Sequence, residues 1–369
     1  MMKKPIEQLC RCGTSNLLQK NLEADSGPHP VFGAAGEITR IAFCQEDKPY
    51  IGVVKDGAGI GRAMRLPGHS STIGTMMRLV PFEGTDLGYL FHAFQSLRLA
   101  EHRTGSTIPH IYFRDFKNTL LPCPSIYDQR KIAERFDVVC ELIEKRNSQL
   151  AQLDTLAKSL FVEMFGDPVE NPKGWKVSAL KDAAAIKSGS TLPATIENEG
   201  GPVLYCKVAD LNLPGNEKWI TTSSRAVSFP TAGNGVFPVG TVIFPKNGGA
   251  VGTNKKRLSV RPTCVDLNTM GVSPDPAKLE SEFLFQLFQF VDLATLAVGT
   301  TVPQISAKNM GAKQIYLPPL PLQRAFAKRI EAIDKSKFAI LRWLSYFDRE
   351  AATKSARRGL SPAPWRDRN

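Results

Sequence analysis

The sequence predicts an α+β chain: two irregular α/β domains in tandem, each running into a long coiled-coil helix. Three observations carry this. A unit recurs at a fixed offset, with Gln129-Arg130 and Gln323-Arg324 standing 194 residues apart. A sustained heptad pattern follows each Gln-Arg pair. The segments before the two helices are rich in Gly, Pro, Val and Ile in short runs, which suits strands broken by turns.

The repeat extends through each domain. The same offset of 194 maps Gly105-Ser106-Thr107-Ile108-Pro109-His110-Ile111 onto Gly299-Thr300-Thr301-Val302-Pro303-Gln304-Ile305, and Tyr89-Leu90-Phe91-His92 onto Phe283-Leu284-Phe285-Gln286. Further upstream the offset is 191, where Lys55-Asp56-Gly57-Ala58-Gly59-Ile60-Gly61 faces Lys246-Asn247-Gly248-Gly249-Ala250-Val251-Gly252. A slip between matched blocks is what a loop insertion produces.

Within the domains, Tyr50-Ile51-Gly52-Val53-Val54 and Thr241-Val242-Ile243-Phe244 read as strands ending in Gly-rich turns. Leu87 to Phe94 and Ser281–Leu293 read as amphipathic helices. In the first long helix the a/d positions are Ile132, Phe136, Val139, Ile143, Arg146, Leu150, Leu153, Ala157, Leu160 and Met164. In the second they are Phe326, Ile330, Ile333, Lys337, Ile340, Leu344, Phe347 and Ala351. Alternating steps of four and three describe a coiled-coil seam. Arg146 and Lys337 are its polar positions and read as register-setting devices. Both helices start after a proline cluster, and the first ends at Gly166-Asp167-Pro168. The second is expected to be shorter, giving way near Lys354 to a flexible basic tail.

Charge and composition narrow the function. The chain has 369 residues, 42% of them hydrophobic, which is enough for packed cores in two or three domains. It carries 47 Lys+Arg against 35 Asp+Glu, a net charge of +12 that favours polyanions. No run of eighteen apolar residues offers a membrane span, and the N-terminus lacks a secretory h-region, so a cytoplasmic location is expected. Seven scattered cysteines suit reduced thiols better than a disulfide framework, and Cys10-x-Cys12 is poor zinc spacing. No metal site is read.

Enzyme motifs are missing from the sequence. All five histidines fall in the first half, so no His-dependent site repeats. There is no HExxH, GxSxG or Cys-x2-Cys. Gly57-x-Gly59-x-Gly61 lacks the spacing and following helix of a dinucleotide loop, and Gly248 to Gly252 lacks the Lys-Ser/Thr of a P-loop. Basic and polar residues near these turns are the DNA-contact candidates. They are Lys55, Arg62, Arg65, Thr107 and His110 in the first half, and Lys246, Asn247, Asn254, Lys255, Lys256, Arg257, Thr301 and Gln304 in the second. No acid interrupts residues 246 to 261. Each feature also has a plain structural reading, as a solvated loop or a packed turn.

The order of these parts resembles the specificity (S) subunits of type I restriction-modification systems. The likeness rests on Leu121-Pro122-Cys123-Pro124 running into Asp128-Gln129-Arg130-Lys131-Ile132-Ala133, and on Leu317-Pro318-Pro319-Leu320-Pro321-Leu322-Gln323-Arg324. It rests also on Ser159 to Pro168 followed by Asn171-Pro172-Lys173-Gly174-Trp175. The resemblance implies target-recognition domains at 1–121 and 168–315, spacer helices at 122–167 and 316–354, and a tail at 355–369. It implies that the helices pair antiparallel as a ruler between two DNA half-sites. It further implies methyltransferase (M) and restriction (R) partner subunits, which would hold S-adenosylmethionine, ATP and Mg2+. This chain itself is then expected to be non-catalytic and free of cofactors.

Overall fold

A computed structural model of the chain describes residues 2–23, 26–57, 59–97, 99–102, 109–299 and 302–357, with side chains followed as far as Tyr346. Thr107 and Thr301 therefore lie outside the described residues, as do the side chain of Phe347 and the tail from residue 358.

The fold is mixed α+β with two tandem domains. The first contains β1 (Lys3–Pro5), β2 (Cys10–Thr14), β3 (His29–Gly33), β4 (Gly36–Ile41), β5 (Tyr50–Val54), β6 (Ala63–Leu66), β7 (Ser71–Thr72), β8 (Met76–Pro81), α1 (Leu87–Ser96), α2 (Phe113–Phe116) and β9 (Leu120–Pro122). The helix α3 (Ile126–Phe165) follows. The second contains β10 (Lys176–Ala179), β11 (Ala184–Ser188), β12 (Val203–Cys206), β13 (Trp219–Ile220), β14 (Ala226–Val227), α4 (Phe229–Ala232), β15 (Val242–Pro245), β16 (Arg257–Ser259), β17 (Thr263–Val265), β18 (Thr269–Pro274), α5 (Ser281–Gln289), α6 (Ala307–Ala312) and β19 (Gln314–Leu317). The helix α7 (Leu320–Arg357) closes the described chain.

The internal repeat is a repeat of topology. In the first domain the main sheet has the order β2-β8-β5-β6 and is antiparallel throughout. In the second it has the order β11-β18-β15-β16, with β13 added in parallel at the edge. A smaller sheet pairs β3 with β4 antiparallel and with β7 parallel, just as β12 pairs with β14 and β17. In both, the first strand pairs with the last: Lys3 opposes Pro122, and Lys176 opposes Leu317.

The chain divides into two compact units, residues up to Asn147 with those from Arg342 on, and Ser148–Leu341, so that the division falls inside both long helices. In the second unit Ala157, Phe161 and Phe165, one turn apart on α3, enter the core beside Phe283 and Phe326. Phe161 and Phe165 are fully buried, and their rings lie 5.7 and 5.2 Å from Phe326. Such contacts are worth about 1 kcal/mol per aromatic pair beyond burial. The first domain packs Leu90, Phe94, Leu79 and Ile51 around its main sheet.

The two long helices are close in length: α7 has 38 residues against 40 for α3, and its described part runs three residues past Lys354. Along both helices the heptad positions Ile132, Val139, Ile143, Leu150, Leu153, Ile340 and Leu344 are half-buried, whereas Ile330 and Ile333 are buried. Phe136 lies beside the first domain. It is 43% exposed, and its ring lies 5.2 Å from that of His92 on α1.

The end of α3 shows what its sequence signature is for. Gly166 takes φ +85° and donates its N–H to Val162, closing the last turn. Lys173 Nζ donates to the carbonyls of Glu163 (2.7 Å) and Met164 (3.1 Å), and Trp175 Nε1 donates to Phe165 O (2.8 Å). Asn171 and Trp175 exchange two further hydrogen bonds. The Asn-Pro-Lys-Gly-Trp segment thus satisfies carbonyls that a helix end leaves open.

Candidate nucleic-acid interface

Two segments far apart in sequence meet in each domain, by the same hydrogen bonds. In the first, Ile111 N–H donates to Lys55 O (3.0 Å) and Gly57 N–H donates to Pro109 O (3.2 Å). In the second, Ile305 N–H donates to Lys246 O and Gly248 N–H to Pro303 O, both at 2.8 Å. Between these bonds lie the bridges Asp56–His110 and Asn247–Gln304. Gly57 and Gly248 have φ of +90° and +70°, a left-handed turn that suits glycine. The Gly-rich turn therefore sits on the Pro-His/Gln loop in both copies.

The side chains on these bridges differ. His110 Nδ1 lies 2.7 Å from Asp56 Oδ1, and its ring stacks 6.4 Å from Tyr112. Lys55 reaches Asp56 at 3.7 Å. In the second copy Asn247 donates to Asn268 Oδ1 at 3.1 Å, while its own Oδ1 is buried without a hydrogen-bond partner. Gln304 is exposed, and Lys246 is half-buried beside it. Lys55, His110, Lys246, Asn247 and Gln304 are thus brought to equivalent places.

Other candidates are engaged by the fold. Lys256 is only 3% exposed, and its ammonium donates to Val291 O (2.6 Å) and Asn254 Oδ1 (2.8 Å). Burial pulls its pKa down to about 8. It cannot face a phosphate. Asn254 is occupied from both sides, since its Oδ1 also accepts from Leu293 N–H at 2.9 Å. Arg257 donates to Leu211 O (3.1 Å) and Lys256 O (3.0 Å), and burial lowers its pKa. Arg62 donates to Ala34 O, and Lys255 to Asn212 Oδ1. Arg65 forms a two-pronged ion pair with Asp137 on α3 and lies 4.7 Å over the ring of Phe91. The Arg65 guanidinium, with His92 Nε2 at 2.8 Å, holds the Asp137 carboxyl below its usual range. This cluster fastens helix to domain. The unbroken basic run at 246–261 is therefore partly internal.

The joint motif has a definite role. Gln129 is 1% exposed; its Oε1 accepts from Asp86 N–H (2.9 Å), and its Nε2 donates to Gly84 O and Pro124 O. Gln323, fully buried, repeats every bond: from Glu280 N–H (2.9 Å), to Lys278 O (3.0 Å) and to Pro318 O (2.8 Å). Asp86 and Glu280 are the N-caps of α1 and α5. Each glutamine thus ties the start of a long helix to the cap of a domain helix. Sequence reading noted the repeat of Gln-Arg but gave it no task. It also missed Lys218, whose Nζ lies 2.7 Å from Glu282 and also pairs with Asp334 of α7; burial raises the pKa of Glu282.

Residues 1–153 and 172–344 match, as two segments, the model of the type I restriction modification DNA specificity domain. The chain belongs to this family. Among curated relatives, the type I restriction enzyme MjaIX specificity subunit of Methanocaldococcus jannaschii is 24% identical over 279 residues, covering 69% of this chain and 64% of that protein. The MjaVIII specificity subunit of the same organism is 25% identical over 273 residues, covering 66% and 63%. The matches thus span just under two thirds of these archaeal proteins. The EcoDI specificity subunit of Escherichia coli is 22% identical, covering 89% of this chain and 80% of that one. In fold, the specificity-domain chain is similar to the S subunit of a type I restriction-modification system from M. genitalium, with a TM-score of 0.61 over 94% of this chain and 92% of the other at 18% identity. No helix among the described residues is long and apolar enough to cross a membrane.

Proposed function

We propose that this chain is the DNA-sequence recognition subunit of a type I restriction-modification complex, reading a bipartite double-stranded target with one half-site per domain. The observation that carries the reading is the duplicated loop bridge, Asp56–His110 and Asn247–Gln304. Two copies of one scaffold carry different side chains at the same positions, which is what an asymmetric split target requires. The chain directs M and R subunits without catalysis of its own, and S-adenosylmethionine, ATP and Mg2+ belong to those partners. The net charge of +12 supports attraction to phosphates.

In this reading α3 and α7 pair as an antiparallel coiled coil and set the gap between half-sites. Contacts within each unit support it. Phe161 meets Phe326, and Asp154 pairs with Lys337. Arg146, at the first seam's polar position, lies 5.5 Å over the ring of Trp343. The partners step in opposite directions along the two helices.

DNA binding by the assembled complex tests the proposal. Sequence-selective binding whose affinity falls steeply with salt is expected; a log–log salt slope near zero would leave only a scaffold that holds partner subunits. Methylation-sensitive sequencing of the host should reveal a split motif that vanishes when this chain is deleted. The ruler has its own test. Seven residues inserted into α3 at Ile143–Leu150, with seven opposite them in α7, lengthen the pair by ~10.5 Å. That is roughly three base pairs of B-DNA. The gap should grow while both half-sites stay unchanged; altered half-sites with an unaltered gap would show that the helices are no spacer.

A further inference from the structure

Cys44, Asp47 and His69 of the first domain stand apart from the loop bridge. Cys44 Sγ lies 3.3 Å from Asp47 Oδ1, and His69 Nδ1 lies 3.7 Å from the same oxygen. All three donor atoms are within 4.8 Å of one another, and no other such trio occurs among the described residues. Ligands bound tetrahedrally to zinc at ~2.0–2.3 Å are separated by roughly 3.3–3.8 Å. Two of the three separations already fall in that range. A thiolate, an imidazole and a carboxylate suit zinc far better than Mg2+ or Ca2+.

The backbone bearing these side chains is held from below. Glu46 and Ser70 form an isolated antiparallel bridge, exchanging N–H to C=O bonds of 3.2 Å in both directions. Cys44 and Asp47 flank Glu46, and His69 precedes Ser70. The Glu46 carboxylate is 4% exposed and is fixed by Arg78 (3.1 Å) and by Arg11. A Cβ at Gly68 would stand 2.3 Å from Asp47 O, so only glycine lets the two segments approach this closely. His29 Nδ1, 3.0 Å from His69 O, ties the turn to β3. The backbone is thus fixed, while the Asp47 and His69 side chains above it face solvent.

The second domain supplies an internal comparison. It has the same bridge, between Phe237 and Thr263. The residues at the matching steps are Gly235, Pro238 and Pro262, none of which offers a ligand side chain. The frame is common to both domains, whereas the donor set is confined to one.

We propose that Cys44, Asp47 and His69 bind one zinc ion, with solvent as the fourth ligand, and that the ion clips the loop after β4 to the turn before β7. Binding releases the Cys44 thiol proton to solvent. The test uses the full chain in its complex, stripped with a chelator and titrated with zinc sulfate, with bound metal counted by mass spectrometry. One zinc per chain is expected, and Cys44→Ser and His69→Ala should each weaken binding by at least about tenfold. Asp47→Asn, at an exposed side chain, should weaken binding likewise, and an unchanged urea midpoint in each variant shows that the loss does not come from misfolding. Cobalt should give a thiolate-to-metal absorption that Cys44→Ser abolishes and Cys123→Ser leaves intact. Wild-type protein that retains no more zinc than Cys44→Ser would overturn the proposal, as would retention indifferent to both Cys44→Ser and His69→Ala.

Discussion

Replacing Gln323 with methionine keeps the volume of the side chain but removes all its polar atoms. Three backbone groups then lose their partner inside the joint: Glu280 N–H, Lys278 C=O and Pro318 C=O. Each hydrogen bond contributes about 1 kcal/mol net, and a stranded buried group costs about 1–3 kcal/mol. Gln323 is fully buried, so water does not replace the lost bonds. A destabilisation of roughly 3 kcal/mol follows, or a fall of about 1.5 M in the urea midpoint at ~2 kcal/mol per molar. Trp175 and Trp219 pack against the core of the second unit and report on it. Urea unfolding of a Trp343→Phe, Trp365→Phe background, followed by fluorescence, isolates their signal. Gln129→Met should leave that signal in place, because its bonds lie in the other unit. A midpoint shift under about 0.5 M for Gln323→Met, or an equal shift from Gln129→Met, would refute the claim that the glutamine fastens its own joint.

Other measurements probe the interior. Lys256 has a folded pKa of about 8 against 10.5 unfolded. The unfolded chain binds the extra proton between these values, so stability should rise as pH increases from 8 towards 10.5. The same urea titration on Lys256→Met should show a flatter pH profile; an identical slope would mean that the ammonium is solvated. Burial pushes the thiols of Cys10 and Cys206 up to about 12 and that of Cys264 to about 11. Iodoacetamide at pH 8 should therefore label Cys123 before these three, as read by peptide mass spectrometry. Early labelling of Cys206 would contradict the packing of β12.

What was legible in the sequence was what local periodicity encodes. Heptads announce α3 and α7, an alternating apolar face announces α1, and a run such as Tyr50 to Val54 announces a buried strand. The fixed offset alone ties these into two copies. The site was harder to read, because charge has no period. Lys256 lies in a run that looks like a solvated loop, yet its neighbour Leu258 is in a strand and draws it inward. Arg65 reads as a free cation until α3 brings Asp137, 72 residues later, beside it. Cys44, Asp47 and His69 carry no recognisable spacing, since it is the bridge between Glu46 and Ser70 that joins them.

The pairing of the first and last strands has a wider consequence. Lys176 and Leu317 lie one strand spacing apart, about 4.8 Å, although 141 residues separate them in sequence. The second domain is therefore a cassette hung from neighbouring attachment points, with α3 arriving and α7 leaving on the same side. A different cassette could be joined at the same two points, provided it kept the contacts that seat it on the helices, Phe283 against Phe161 and Phe165 and the Glu280 N–H on Gln323. Novelty in such a molecule can come by substituting one cassette whole, while the frame that carries it stays as it is.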